Sequence, residues 1–229
     1  MKETIKSIPV VGEIAQALYR RLPKQLKRQR PFPGSAAYWE ERYRAGGTSG
    51  AGSYAFLAEF KAEVLNGFVA EHGVRTVIEF GCGDGNQLRL AKYPSYLGVD
   101  VSSSAIERCR QLFAGDPSKS FRTVAEYAGE RAELVLSLDV IFHLVEDAVF
   151  DDYMQRLFAA SERYVIVYSS NTASTLGIDN PHVKHREFTR WVDDRAPGFR
   201  LLRHVPNRYP YAGDHHIGSF ADFFVFERA

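Results

Sequence analysis

Three glycines spaced two apart, Gly81, Gly83 and Gly85, close the run Val77-Ile78-Glu79-Phe80-Gly81-Cys82-Gly83-Asp84-Gly85. An apolar strand ending in GxGxG before a helix can turn tightly, and without Cβ atoms its backbone can approach a ligand closely. Asp100, nineteen positions beyond Gly81, ends the next apolar run. A carboxylate there can accept both hydroxyl protons of a ribose. Together these residues describe a site for an adenosine-containing cofactor at the carboxyl edge of a sheet. The dinucleotide fingerprint GxGxxG needs a glycine at 86, and Asn86 stands there, which argues against a nicotinamide or flavin cofactor.

A second group of residues could move protons. His143 follows Asp139 by four positions, and an imidazole has the intrinsic pKa of a base at neutral pH. Asp139 could orient that histidine, contact an acceptor or ligate a metal. The plainer alternative is that His143 caps the next helix or fills a gap. Five of the seven histidines, His182, His185, His204, His215 and His216, lie in the C-terminal third. His182 and His185 can share a face if helical. Tyr209, Tyr211, His215 and His216 combine aromatic faces with polar heads, as a sugar or other polyhydroxyl acceptor requires, although loop histidines are commonly just solvated surface. No HExxH or paired-cysteine spacing occurs, which argues against structural zinc, while an Mg²⁺ held by Asp139 and substrate hydroxyls stays open.

These residues need elements to position them. Apolar runs at 75–80, 96–101, 121–124, 134–139 and 164–169 read as strands buried on both faces. Helical spacing falls between them at 86–92, 103–113 and 147–160, and ahead of them at 36–44 and 54–71. That βαβ series predicts a parallel sheet with helices on both faces. A helix near 187–194, a strand near 200–205, a long loop at 206–219 and a last strand at 223–227 follow. The last two strands have no helix between them, so the final one should run antiparallel.

The chain has 229 residues, of which 45% are apolar and 25% charged, a globular composition. Its net charge of +1 lacks the field with which nucleic-acid binders collect phosphates, so no nucleic-acid partner is expected. Two cysteines in separate motifs suit a reducing cytoplasm, and no run is apolar enough for a membrane span or signal peptide. The near-neutral total hides a segment, residues 1–30, with a net charge of +6, which leaves −5 on the rest. Ile8, Val11, Ile14, Leu18, Leu22 and Leu26 give it an apolar stripe, interrupted near Pro9 and Pro23. It reads as a basic amphipathic helix that lies on an anionic membrane surface, packs on the main domain or mediates a homodimer. Pro31-Phe32-Pro33-Gly34 punctuates the chain, which suggests a helical extension at 1–36 and a main domain at 37–229.

VIEFGCGDG, then YLGVDVS at 96–102 and LVLSLDVIFHLVED at 134–147, taken together, resemble the class I S-adenosylmethionine-dependent methyltransferases. The resemblance implies a Rossmann-like α/β fold, a mostly parallel seven-stranded sheet with an antiparallel last strand. It implies S-adenosylmethionine as cofactor, with Glu79, Gly81, Gly83 and Gly85 shaping the methionyl side and Asp100 holding the ribose. The segment around Ala125 and Glu126 would border the adenine but lacks the family's frequent aspartate. Tyr38, Trp39 and Tyr43, followed by a glycine-rich loop, resemble the lid that small members fold over the cofactor; ordinary packing is the alternative. His143 would then be the base and Asp139 its helper or a metal ligand, while His182, His185, Tyr209, Tyr211, His215 and His216 would meet a small-molecule or oligosaccharide acceptor. The entrance segment, HREFT at 185–189 and the ending GSFADFF resemble small bacterial methyltransferases of polysaccharide synthesis, which implies a sugar hydroxyl as acceptor. Carboxylate, amine and thiol acceptors remain open. The competing class, a short-chain-like dehydrogenase, needs NAD and a Tyr-x-x-x-Lys pair, and none follows strand five.

Overall fold

Alternation of side chains across five central strands divides the interior into two cores. Leu134, Leu136 and Leu138 face one, and Val135 between them faces the other; Tyr164, Ile166 and Tyr168 alternate with Val165 and Val167 in the same way. A strand buried on both faces must be apolar at every position, which is why these segments read as continuous runs. The structure is a computed structural model and describes residues 31–176 and 180–229. The basic segment 1–30 lies outside the described residues.

In chain order the elements are α1 (Ser35–Arg44), α2 (Ala55–His72), β1 (Thr76–Phe80), β2 (Ser95–Asp100), α3 (Ser103–Leu112), β3 (Lys119–Thr123), β4 (Ala132–Leu138), α4 (Asp147–Ala159), β5 (Ser161–Ser169), α5 (Phe188–Arg195), β6 (Phe199–Val205) and β7 (Asp222–Arg228). Gly34–Ala229 form one compact unit, so Ser35 and Ala36 belong with the main domain. The seven strands lie in the order β3-β2-β1-β4-β5-β7-β6. β1 to β5 pair in parallel, and β7 runs antiparallel to both β5 and β6. The expected α/β architecture with an antiparallel last strand is therefore present.

Leu65 and Phe68 of α2, with Ile106 and Cys109 of α3, cover one core; Phe150, Met154 and Leu157 of α4, with Val192 of α5, cover the other. Each such side chain, fully buried, contributes about 1.5 to 3 kcal/mol. The order reverses between β1 and β4: β2 and β3 extend the sheet to one side, β4 and β5 to the other. At such a switch point the loops after adjacent strands diverge and open a crevice at their carboxyl ends.

One expected element is much shorter. The segment 86–92 is a single 3₁₀ turn, Gln87–Leu90, not a helix. Asp84 Oδ1 accepts the Asn86 backbone N–H, and Asn86 Nδ2 donates to the Ser53 carbonyl, so local side chains hold the turn's start. Pro94 then keeps Tyr93 out of the helical region.

Candidate active site

The loop after β1 carries its three glycines at φ values of 81°, 59° and 76°, left-handed conformations that cost other residues strain. At Gly83 the space of the missing side chain is filled by Ser49 Oγ and Tyr43 Oη, and at Gly81 by Val140. The Gly83 N–H donates to Asp100 Oδ2 and the Ser102 N–H to Asp100 Oδ1, both at 2.9 Å. Asp100 thus ties the glycine loop to the end of β2. A carboxylate has about four acceptor positions, so both oxygens retain capacity for a ribose. Burial pushes its pKa up, against those backbone hydrogen bonds. Glu79, also buried, accepts from Tyr96 Oη at 2.7 Å, and burial raises its pKa to about 7.

α1 and the glycine-rich segment after it lie over this loop as a lid with three polar fastenings. At one end, Glu146 accepts from Ser35 N–H and Ser35 Oγ at 2.9 and 2.6 Å. In the middle, Glu40 accepts from Ser102 Oγ and Ser104 Oγ at 2.7 and 2.6 Å, and these bonds hold its pKa down. At the far end, Asp84 Oδ2 accepts from Ser49 N–H and Tyr54 Oη, while Ser49 Oγ accepts from Asp84 N–H. Gly52 lies so close to Asp139 that a Cβ there would stand 2.9 Å from Oδ2.

Under the lid is a cavity of about 280 Å³, at the small end of the roughly 300 to 1,000 Å³ typical of ligand pockets. Its walls include the glycine loop, Asp100 and the apolar Val101 and Val124. Trp39, Tyr43, Lys61, Asp139 and His143 line it as well. Asp139 holds φ +59°, uncommon for a residue with a Cβ, and its N–H donates to the Tyr168 carbonyl. Its Oδ2 accepts from Lys61 Nζ at 2.7 Å, and Lys61 is 1% exposed. Strained backbone and a buried ion pair in a cavity wall are features that functional sites commonly carry.

His143 ends a 3₁₀ turn, Ile141–His143, directly after Asp139 and Val140. Its Nδ1 lies 3.0 Å from the His182 carbonyl. A carbonyl only accepts, so Nδ1 carries the proton and Nε2 keeps a lone pair. Burial lowers its pKa to about 3, so the ring is neutral throughout the physiological range. Trp39 meets it edge-on with centroids 4.9 Å apart.

The expected site residues separate into two sets. Glu79, Gly81, Gly83, Asp100, Trp39, Tyr43, Asp139 and His143 line one cavity, and Gly85 packs behind it against Cys109 and Phe113. Tyr38 is not in the wall; it stacks on His182, which stacks in turn on His143. The six expected acceptor residues are not brought into the cavity wall. His182 acts through His143, and His185 is buried with Nδ1 2.6 Å from Ser170 Oγ. Tyr209 packs on Phe56 and Phe60, while Tyr211 and the exposed His215 stack along the last loop with His216 beside them. His182 and His185 stand on the loop after β5 and the others on the β6–β7 loop, which starts from the same carboxyl edge of the sheet but stays outside the cavity wall.

A divalent ion at Asp139 is not supported. Lys61 occupies one of its oxygens, and among the described residues no three His, Cys, Asp or Glu side chains gather as a metal set. Glu126 is also unsuited to an adenine contact, since it accepts from Thr123 N–H, Thr123 Oγ1 and Arg110. Sequence reasoning missed Lys61, Glu40, Ser49, Asp84 and Gln87. Lys61 did leave a signal, a lone charge inside the apolar stripe of Phe56, Phe60, Val64 and Phe68. The others are polar residues in loops or on a polar helix, where nothing local distinguishes them.

Residues 78–166 match the model of a family described as a methyltransferase domain. No curated protein sequence matches the chain significantly. Among solved structures, magnesium protoporphyrin IX methyltransferase from Synechocystis PCC 6803, with bound S-adenosylhomocysteine, superposes with a TM-score of 0.60 at 16% identity, covering 85% of this chain and 98% of that one. The N-methyltransferase NodS of Bradyrhizobium japonicum WM9 gives 0.62 at 15% identity, with the same coverages of 85% and 98%. The methyltransferase domain of a bacterial Hen1 gives 0.57 at 21%, covering 73% and 96%. With the domain match over 78–166 and the strand order, the chain has the Rossmann-like fold of the class I methyltransferases.

Proposed function

We propose that this chain is an S-adenosylmethionine-dependent methyltransferase that methylates a hydroxyl of a sugar-like acceptor, with His143 as the base. The observation that carries the reading is the neutral His143 in the cavity wall, its proton fixed on Nδ1 by the His182 carbonyl and its Nε2 lone pair left over. In this reading Asp100 holds the donor's ribose, Val101 and Val124 sandwich the adenine, and Glu79 with Gly81, Gly83 and Gly85 forms the methionyl side. Bound S-adenosylmethionine supplies an electrophilic methyl on a good leaving group, so the protein must align the acceptor and take its proton. Alignment of two bound partners is worth up to roughly 7 to 11 kcal/mol, and a placed base about 10² to 10⁴ in rate.

A half-buried imidazole of low pKa is a weak base toward a resting hydroxyl. As the oxygen bonds to carbon, however, its proton becomes far more acidic than an imidazolium, and the neutral ring can then accept it. Asp139, held by Lys61, presents a carboxylate to the acceptor side and favours the charge that forms on the ring. The lid fastenings exclude water from the methyl group.

An acceptor screen with purified enzyme, following the demethylated donor product over monosaccharides and short oligosaccharides, tests this. Turnover of a saccharide is expected. Failure of every saccharide alongside turnover of a carboxylate, amine or thiol would overturn the hydroxyl reading. For residues 1–30, the +6 charge favours contact with an anionic membrane surface. Flotation of the full chain with anionic vesicles, lost on truncation before Pro31, is the expected result; equal flotation of both would favour a packing or dimer role.

A further inference from the structure

One polar group on the cavity wall, Gln87, has no part in the account above, and a second, Lys61, enters it only as the partner of Asp139. Gln87 stands in the short turn after the glycine loop and is 9% exposed. Its Nε2 donates to the Ala58 carbonyl at 3.0 Å, which fixes the orientation of the amide. Its Oε1 is buried with no hydrogen-bond partner, although the residue lines the cavity. A buried amide oxygen without a donor is costly and rare, and it marks where a donor from outside the protein belongs.

Lys61 follows Ala58 on the same face of α2, so one helical turn holds both groups. An ammonium carries three donors, and among the described residues Asp139 is its one hydrogen-bond acceptor. The Tyr168 ring lies 5.3 Å from Nζ and covers another side. One part of the wall therefore offers an acceptor with nothing to accept and a cation with donors to spare, beside the Glu79 carboxylate. The complement of that pattern is a zwitterion, an ammonium beside a carboxylate. With Asp139 there, the wall also offers negative charge to a sulfonium.

We propose that Gln87 and Lys61 clamp the α-amino-acid end of the methyl donor, Gln87 Oε1 accepting from its ammonium and Lys61 Nζ donating to its carboxylate. The proposal rests on the reading of this cavity as the donor site. It makes the amino-acid end a specificity determinant: S-adenosylhomocysteine carries that end, and 5′-methylthioadenosine does not.

Calorimetric titration of the full chain with each compound tests the clamp without any acceptor. The wild type is expected to prefer S-adenosylhomocysteine by about tenfold to a hundredfold. Gln87→Leu and Lys61→Met should each remove most of that preference and leave 5′-methylthioadenosine within about twofold. Gln87→Leu deletes the orphaned oxygen, so an unchanged or raised Tm beside lost affinity separates binding from folding. Where Lys61→Met fails to fold, because Asp139 loses its cation, Lys61→Met with Asp139→Asn replaces it. Equal affinities of the wild type for both compounds, or undiminished S-adenosylhomocysteine affinity in Gln87→Leu, would overturn the clamp alone. Binding of neither compound to the wild type would overturn the donor reading and the clamp with it.

Discussion

The glycine-loop end of the cavity and the loop joining β6 to β7 are both rich in polar and aromatic side chains, yet they are built on different terms. Around the glycine loop, Asp100, Asp84 and Glu40 are each held by two or more hydrogen bonds, at least one of them from another segment. In the β6–β7 loop the base is pinned, Asn207 donating to Tyr168 Oη and the Ala221 carbonyl, but His215 and His216 at the tip are exposed. The difference shows that residue type is a poor guide to a site and that pre-organisation is a better one: a side chain held by a second shell of bonds can wait in the geometry a ligand needs, and a solvated one must be ordered at binding.

Mutations can break that comparison, and the largest effect is expected at His143. His143→Ala should lower kcat by about 10² to 10⁴ while calorimetric affinity for S-adenosylhomocysteine stays within about twofold. Because burial lowers the imidazole pKa to about 3, the wild-type kcat should show no acidic limb from this group between about pH 5 and 8. A limb near the ordinary histidine value, or kcat in the variant within a few-fold of wild type, would remove the base from the mechanism.

Glu79 supplies a pH test of the same pre-organised end. Burial raises its pKa from 4.5 to about 7, so the folded protein keeps a proton that the unfolded chain releases. The stabilisation is complete below the unfolded value and lost as pH rises through about 7, a change on the order of 3 kcal/mol. Denaturant unfolding across that window should show the decline in the wild type and not in Glu79→Gln.

Asp100→Ala should follow, with S-adenosylhomocysteine affinity reduced about tenfold to a hundredfold. The variant loses the ribose acceptor and also leaves the Gly83 and Ser102 N–H groups without their partner. The smallest effect sharpens the comparison from the other side. His215→Ala and His216→Ala should change stability by less than about 0.5 kcal/mol and leave donor affinity unchanged. A loss of acceptor turnover in either, with donor affinity intact, would show that the exposed tip folds over the acceptor after all.

Much of the donor end was legible because its chemistry is local. A GxGxG loop needs its glycines within five positions, and the strand pairing that brings Asp100 beside it follows from a βαβ pattern spread over only a few dozen residues. The C-terminal histidines illustrate the opposite case. Their clustering in sequence suggested a shared pocket, yet they fall on three separate elements, the β5–α5 loop, β6 and the β6–β7 loop, none of them in the cavity wall. Val101 and Val124 went unnoticed in the cavity wall because an apolar residue at a strand end looks the same whether it meets a cavity or the core.

The sequence by itself determined the sheet, the order of most of its elements, the glycine loop and the carboxylate opposite it, since periodicity and turn chemistry act between neighbours in the chain. Only the tertiary structure decided which charges meet in the cavity. Lys61 and Asp139 are 78 positions apart, Ser49 and Asp84 are 35 apart, and Glu40 reaches Ser104 across 64. Each of these pairings joins distant parts of the chain, and it exists only because packing two cores against one sheet closes a lid over the switch point and leaves those groups facing each other.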